Sequence, residues 1–225
     1  MEKFLGILLC GGKGTRLSPI TRYISKPFVP VYDRPVFWFG LNLLEKSTYI
    51  DEIIILTNRE NDDKLKTTGY ETVVQDDRVV FDMFSGWEYI KQQTGNRKHG
   101  VLMPGDNVSN INVDELIRLF LQRDADIAFS LYKMSNIQKL SQMGCYDPQE
   151  KKFYYKHLHP PAPYGVMAPY IVRQSLRVDA GDAMLNHPNA VFAEHHGYWF
   201  DIGDYVSIID ASMYIKNYIK RFGRL

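Results

Sequence analysis

Hydrophobic positions fall into two rhythms along this chain. Short apolar, β-branched runs at residues 4–10, 52–57, 71–74, 100–103 and 126–131 read as strands. Between them apolar residues recur at helical spacing. Residues 36–46 open just after Pro35, residues 59–67 are short and polar, and residues 82–93 are rich in aromatics. Residues 113–123 place Leu116, Leu119 and Phe120 on one face. Strand and helix in alternation predict βαβ units, an α/β fold with a mainly parallel central sheet flanked by helices. After Lys133 the rhythm changes. Turn signals stand at Asp147-Pro148 and at 160–163, strand-like runs at 165–172 and 190–194, and a last helix is predicted over 204–221 with a basic end. The second half is therefore expected to make the sheet mixed.

A chain of 225 residues suits one core, so residues 1–225 are read as a single domain, divided near residue 133 into two halves. Its net charge of +1 offers no general attraction to a nucleic acid polymer or an anionic membrane, so any anion must be held by a local site. The first apolar run is too short to span a membrane and lacks the flanks of an export signal, which makes a cytoplasmic protein the expectation. Cys10 and Cys145 are the two cysteines, without metal-ligand spacing, and read as buried thiols.

The chemistry begins where the first strand ends. Gly11-Gly12-Lys13-Gly14-Thr15 presents backbone N–H groups free of side chains, the form of an anion cradle. The third glycine of the dinucleotide fingerprint is replaced by Leu17, and Lys13 is not followed by the Ser or Thr of a Walker loop. Arg16 and Lys26 follow closely, either as surface charges or as cations that hold two repelling phosphates in line. Farther on, the apolar run at 101–104 ends in Gly105-Asp106-Asn107, and Trp199-Phe200-Asp201-Ile202-Gly203 precedes the last helix. A carboxylate at the carboxyl edge of a parallel sheet lies where such sheets bind ligands, and Asp106 there either caps a turn or serves as a hard oxygen ligand for Mg²⁺. Asp204 is the natural cap of the last helix, which leaves Asp201 for another task.

Taken together, Leu8-Leu9-Cys10-Gly11-Gly12-Lys13-Gly14-Thr15-Arg16-Leu17-Ser18-Pro19, then Ser25-Lys26-Pro27 and Pro30-Val31, resemble the sugar-1-phosphate nucleotidyltransferases, nearest the glucose-1-phosphate thymidylyltransferases. The resemblance implies a Rossmann-like nucleotidyltransferase fold. It implies nucleotide contacts from Leu9, Gly11, Gly12, Gly14, Thr15 and Gln75, with Arg16 and Lys26 catalytic. Gly105-Asp106 and Trp199-Phe200-Asp201 are similar to the two metal-binding elements, which makes Asp106 and Asp201 the Mg²⁺ ligands. Sugar contacts are implied at Gly144, at His159 and at Gly165, the last in Tyr164-Gly165-Val166. The expected partners are a nucleoside triphosphate and a sugar phosphate, with a homo-oligomer as the assembly to test.

Three segments depart from that pattern. After Gln75, residues 76–82 lack the glycine of the base-reading element, so dTTP keeps only a small lead over UTP, CTP and GTP. A Glu-Lys-Pro element is replaced by His157-Leu158-His159-Pro160, which removes the acid and offers histidines instead. Asp179-Ala180-Gly181-Asp182 reads as the remnant of a longer stretch. Two classes of function therefore stand at this point: a nucleotidyltransferase, and a nucleotide-binding regulatory protein on the same scaffold.

Overall fold

The computed structural model describes residues 2–177 and 181–223. Its first half contains β1 (Phe4–Cys10), β2 (Pro30–Val31), β3 (Arg34–Pro35), α1 (Val36–Glu45), β4 (Ile50–Thr57), α2 (Asp62–Lys66), β5 (Glu71–Val74) and α3 (Met83–Thr94). There follow β6 (His99–Pro104), β7 (Asn107–Ser109), α4 (Val113–Gln122), β8 (Ile127–Lys133) and α5 (Ile137–Leu140). The remainder is β9 (Gly144–Asp147), β10 (Lys152–Tyr155), β11 (Tyr164–Val172), α6 (Gly181–Leu185), β12 (Ala190–His195), β13 (Trp199–Asp201) and α7 (Tyr205–Phe222).

β1 sits inside the sheet because both of its faces are apolar. Leu5 and Ile7 enter one core cluster, with Trp87 of α3, while Phe4, Leu8 and Cys10 enter the other, with α1 and α4. It runs parallel to β4 on one side and β6 on the other, and β5 continues beyond β4. β11 then lies antiparallel to both β6 and β8, and β12 runs parallel to β8. One mixed sheet thus carries both halves of the chain.

Local sequence explains most boundaries. Asp82 accepts a hydrogen bond from the Ser85 amide at 2.7 Å, and Asp204 from the Ser207 amide at 2.7 Å, each completing a capping box. Asp204 is therefore the cap expected of it. Gly95 and Gly223 close the same two helices in the left-handed conformation. The polar run expected to be helical over 59–67 is helical only across α2, because Asn58 folds its side chain onto the Asn61 amide in a turn. The hairpin of β9 and β10 was absent from the periodic pattern, and it joins the sheet where Cys145 meets Gly165. Of the expected remnant segment, Asp179 and Ala180 lie outside the described residues.

α7 buries Ala211 and Ile215 with Val31, Val36, Phe39, Val108 and Ile202. This small third cluster holds the Asp201 strand against the carboxyl end of the main sheet. Among the described residues no helix is long and apolar enough to cross a membrane.

Candidate active site

A cavity of about 420 Å³ opens at the carboxyl ends of β1, β4 and β6. The glycine loop forms one edge of it, and two of its three glycines are sterically required, Gly12 having open space where a side chain would go. Gly14 is left-handed, and a Cβ on it would stand 2.9 Å from Lys26 Cβ and Thr21 Cγ2, so its bareness lets the loop close on Lys26. A Cβ on Gly11 would stand 1.8 Å from Gln75 Oε1, so the Gln75 amide crosses over the end of β1 only because Gly11 has none. The Gln75 amide nitrogen donates to Asp77 at 2.7 Å, and Asp77 in turn pairs with Lys13 at 3.3 Å.

Opposite the loop, the carboxylates meet. The Lys26 ammonium is paired with Asp106 Oδ2, with only 12% of the lysine side chain exposed. Register pairing of β7 with β13 sets Asp201 opposite Asn107. The Asn107 side-chain nitrogen donates to Asp106 Oδ1 at 3.0 Å and to Asp201 Oδ1 at 3.3 Å. Its carbonyl oxygen accepts from the Trp199 indole at 2.8 Å, which fixes the amide's orientation. Asp201 is held above the usual carboxylate range, first by burial and then by the charge of Asp106, with Lys26 and Arg16 partly offsetting both. Two carboxylates bridged by one amide, one of them already paired with a lysine, want positive charge.

Residues 5–171 match the model of the nucleotidyl transferase family. The chain belongs to that family. It is 45% identical over 56 residues to the glucose-1-phosphate thymidylyltransferase of Neisseria gonorrhoeae, an alignment covering 25% of this chain and 19% of the relative. With the bifunctional protein GlmU of Methanococcus aeolicus it shares 23% identity over 245 residues, 95% of this chain and 55% of the relative. The chain thus spans about a fifth of the thymidylyltransferases it matches and about half of the bifunctional protein. Among solved structures, a Bacillus anthracis chain described as a glucose-1-phosphate thymidylyltransferase, in complex with sucrose, superimposes with a TM-score of 0.81 at 19% identity, covering 95% of this chain and 96% of that one. An apo UDP-glucose pyrophosphorylase superimposes with a TM-score of 0.72 at 16% identity, covering 99% and 100%. These neighbours share the fold, a Rossmann-like α/β arrangement with a mixed, mainly parallel sheet.

In this nucleotidyl transferase family chain the structure brings Leu9, Gly11, Gly12, Lys26, Gln75, Asp106 and Asp201 onto one cavity surface. Arg16 stands beside it, its guanidinium 3.1 Å from where a Gly203 Cβ would be, and Thr15 begins an exposed turn. The three expected sugar contacts are not among the residues that line this cavity, although Met143 and Val166, next to two of them, are. The space a Gly144 side chain would need holds the Phe153 ring, and Gly165 backs onto Met134 and Met143. His159 lies in an exposed loop where its own carbonyl contacts His157 Nδ1 at 2.7 Å. Both cysteines are free and buried, as expected, and burial pushes the Cys10 thiol well up.

Several lining residues carried no assigned role in the sequence. Asn107 was legible only as part of Gly105-Asp106-Asn107. Met143, Val166, Met167, Ala168 and Tyr170 also line the cavity. Among the described residues no three His, Cys, Asp or Glu side chains gather as a metal site. Two carboxylates suit Mg²⁺ nonetheless, because it takes one or two of them and completes its shell with phosphate and water.

Proposed function

We propose that this chain transfers a nucleotidyl group from a nucleoside triphosphate, dTTP ahead of the others, to a sugar 1-phosphate with release of pyrophosphate. The observation that carries the reading is the convergence of Lys26, Asp106, Asn107 and Asp201 at the foot of the glycine loop. Family membership and the thymidylyltransferase relatives aligned to a quarter of the chain support it.

In the proposed reaction an oxygen of the acceptor phosphate forms a bond to the α-phosphorus, and the bond from that phosphorus to the bridging oxygen breaks, freeing pyrophosphate. The attacking phosphate is already ionised at neutral pH, so no side chain need remove a proton. Catalysis then rests on alignment and charge. Loop amides at Gly11 and Gly12 hold phosphate oxygens, with Leu9, Gly14 and Thr15 shaping the same turn. Lys26 leaves Asp106 for the crowded α-phosphate, and Arg16 meets the departing pyrophosphate. Asp106 and Asp201 would hold Mg²⁺, which supplies positive charge to the phosphates of both substrates. Asn107 keeps the two carboxylates aimed at one point. Residues up to about 133 serve the nucleotide, those from about 134 the acceptor, and the setting is the cytoplasm.

The test is a panel of dTTP, UTP, CTP and GTP against sugar 1-phosphates, read by pyrophosphate release. Release with at least one pair, abolished by Lys26→Ala with nucleotide binding retained, is the expected result. Tight nucleotide binding without product from any pair would replace this reading with a binding or regulatory protein on the same fold.

A further inference from the structure

On the reading that this cavity takes a nucleoside triphosphate with its base beside Gln75, we infer that Asp77 is a positioning residue for base selection. It holds the Gln75 side-chain amide in one orientation, so that among pyrimidines the site takes thymine and uracil, which carry a ring N–H beside a carbonyl, ahead of cytosine. Gln75 follows the last residue of β5, and its backbone N–H donates to the Thr57 carbonyl at 2.7 Å, which anchors it at the edge of the cavity. Its side-chain amide lies across Gly11 with the oxygen nearest, 1.8 Å from where a Gly11 Cβ would stand, and the nitrogen farther off at 2.9 Å. That nitrogen donates to Asp77 Oδ1 at 2.7 Å, and Asp77 Oδ2 pairs with Lys13 Nζ at 3.3 Å. An ionised carboxylate only accepts hydrogen bonds, so it admits the NH₂ end of the amide and rejects the oxygen end. Hydrogen bonds from Gln75 first and Lys13 second hold Asp77 below the usual carboxylate value, which keeps it in that form at neutral pH. With 74% of the Lys13 side chain and 51% of the Asp77 side chain exposed, their ion pair adds little to stability. What it fixes is direction.

The backbone that follows Gln75 along this rim is committed to its own turn. The N–H groups of Arg78, Val79 and Val80 are bonded to Asp76, and those of Phe81 and Asp82 to the Ser85 hydroxyl. Asp82 also lines the cavity, and its carboxylate offers acceptors, one of them taken by the Ser85 amide. Among the described residues nothing donates to Gln75 Oε1, so that oxygen is open to a donor on the base, and the second N–H of the same amide is open beside it. A ring N–H flanked by a carbonyl oxygen, as in thymine and uracil, meets that pair. Cytosine carries the reverse pair, a bare ring nitrogen beside an amino group. In the same pose it matches only an amide turned end over end, with its oxygen against Asp77.

The experiment measures Kd by calorimetry for the Mg²⁺ complexes of dTTP, UTP and CTP on the full chain. An amide that reads a base edge through two hydrogen bonds discriminates by about 10- to 100-fold, so dTTP and UTP should bind wild type more tightly than CTP by that factor. Asp77→Asn keeps the shape but donates as well as accepts, which lets the Gln75 amide turn over, and it should shrink the factor about tenfold. Asp77→Ala, which removes the acceptor outright, should do the same. CTP bound by wild type as tightly as UTP would overturn the inference. So would an unchanged ratio in both variants, including a loss shared equally by all three nucleotides, the sign of a merely structural role. Binding is read without turnover, so selection that follows Asp77 in a chain releasing no pyrophosphate would leave the inference standing and remove nucleotidyl transfer. Wild type that binds none of the three would remove both.

Discussion

The polar corner and the apolar wall of the cavity are built by opposite means. At the corner, Lys26, Asp106, Asn107 and Asp201 come from distant parts of the chain and are tied together by hydrogen bonds and an ion pair. At the wall, Val166, Met167 and Ala168 are consecutive residues of one strand that present apolar surface. A group that handles triphosphate must be polar, positioned and partly desolvated, which constrains residue type strictly. An apolar wall constrains residue type less, since volume and shape are its chief requirements. The corner is accordingly the part of the cavity that bears most directly on the proposed reaction.

The sharpest way to break this contrast is at the corner. Asp201→Asn removes one of two carboxylates, and kcat is expected to fall by on the order of 10³, as for loss of a preorganised electrostatic group. Single-turnover measurement of pyrophosphate release checks it, with nucleotide affinity measured alongside to confirm a folded site. A smaller loss is expected at Asn107→Ala. The carboxylates keep their charge but lose the amide that aims them, and Mn²⁺ affinity and turnover should each drop about 10- to 100-fold, as supporting ligands generally cost. Trp199 loses its acceptor in the same variant, so its fluorescence should shift. An unchanged emission spectrum with unchanged Mn²⁺ affinity would remove Asn107 from the corner.

Below these lies a stability effect. Asp204 is held below the usual carboxylate value, first because the Ser207 amide donates to it. Asp204→Ala should cost about 1 kcal/mol at pH 7, read by chemical denaturation. Asp204 has the lower pKa in the folded state, so its contribution is complete above the unfolded value near 4 and fades as pH falls through the folded value. The gap between wild type and variant should accordingly close in acid. A gap that persists unchanged there would assign the loss to something other than the charged cap. Smallest of all is His159→Ala. A residue in an exposed loop outside the cavity lining should leave kcat/KM within about twofold, and a larger loss would place acceptor contacts in that loop.

The corner was readable in the sequence because its chemistry needs scarce residue types in fixed local order. A glycine run after a buried strand, a carboxylate after Gly105 and another after Trp199 each stood out from their surroundings. Cap logic likewise separated Asp204 from Asp201 correctly. The role of Asn107 was hidden because its partners are 92 and 94 residues away, and only the β7–β13 pairing joins them. The wall was hidden for a different reason: Tyr170 and Met167 in a buried strand look the same as core until a cavity is seen beside them. Gly165 was singled out as a glycine facing the sugar; its neighbours Val166, Met167 and Ala168 line the cavity, and a side chain on Gly165 itself would meet Met134. The β9–β10 hairpin escaped because two four-residue strands offer too little alternation to register.

The central claim is that the corner transfers a nucleotidyl group, and it is tested most directly by α-³²P-labelled nucleoside triphosphate incubated with the sugar phosphate panel and Mg²⁺. Wild type is predicted to pass the label to an acceptor with stoichiometric pyrophosphate, and Lys26→Ala to bind the nucleotide with near-normal affinity yet transfer no label. Label transfer by Lys26→Ala at the wild-type rate would contradict the account.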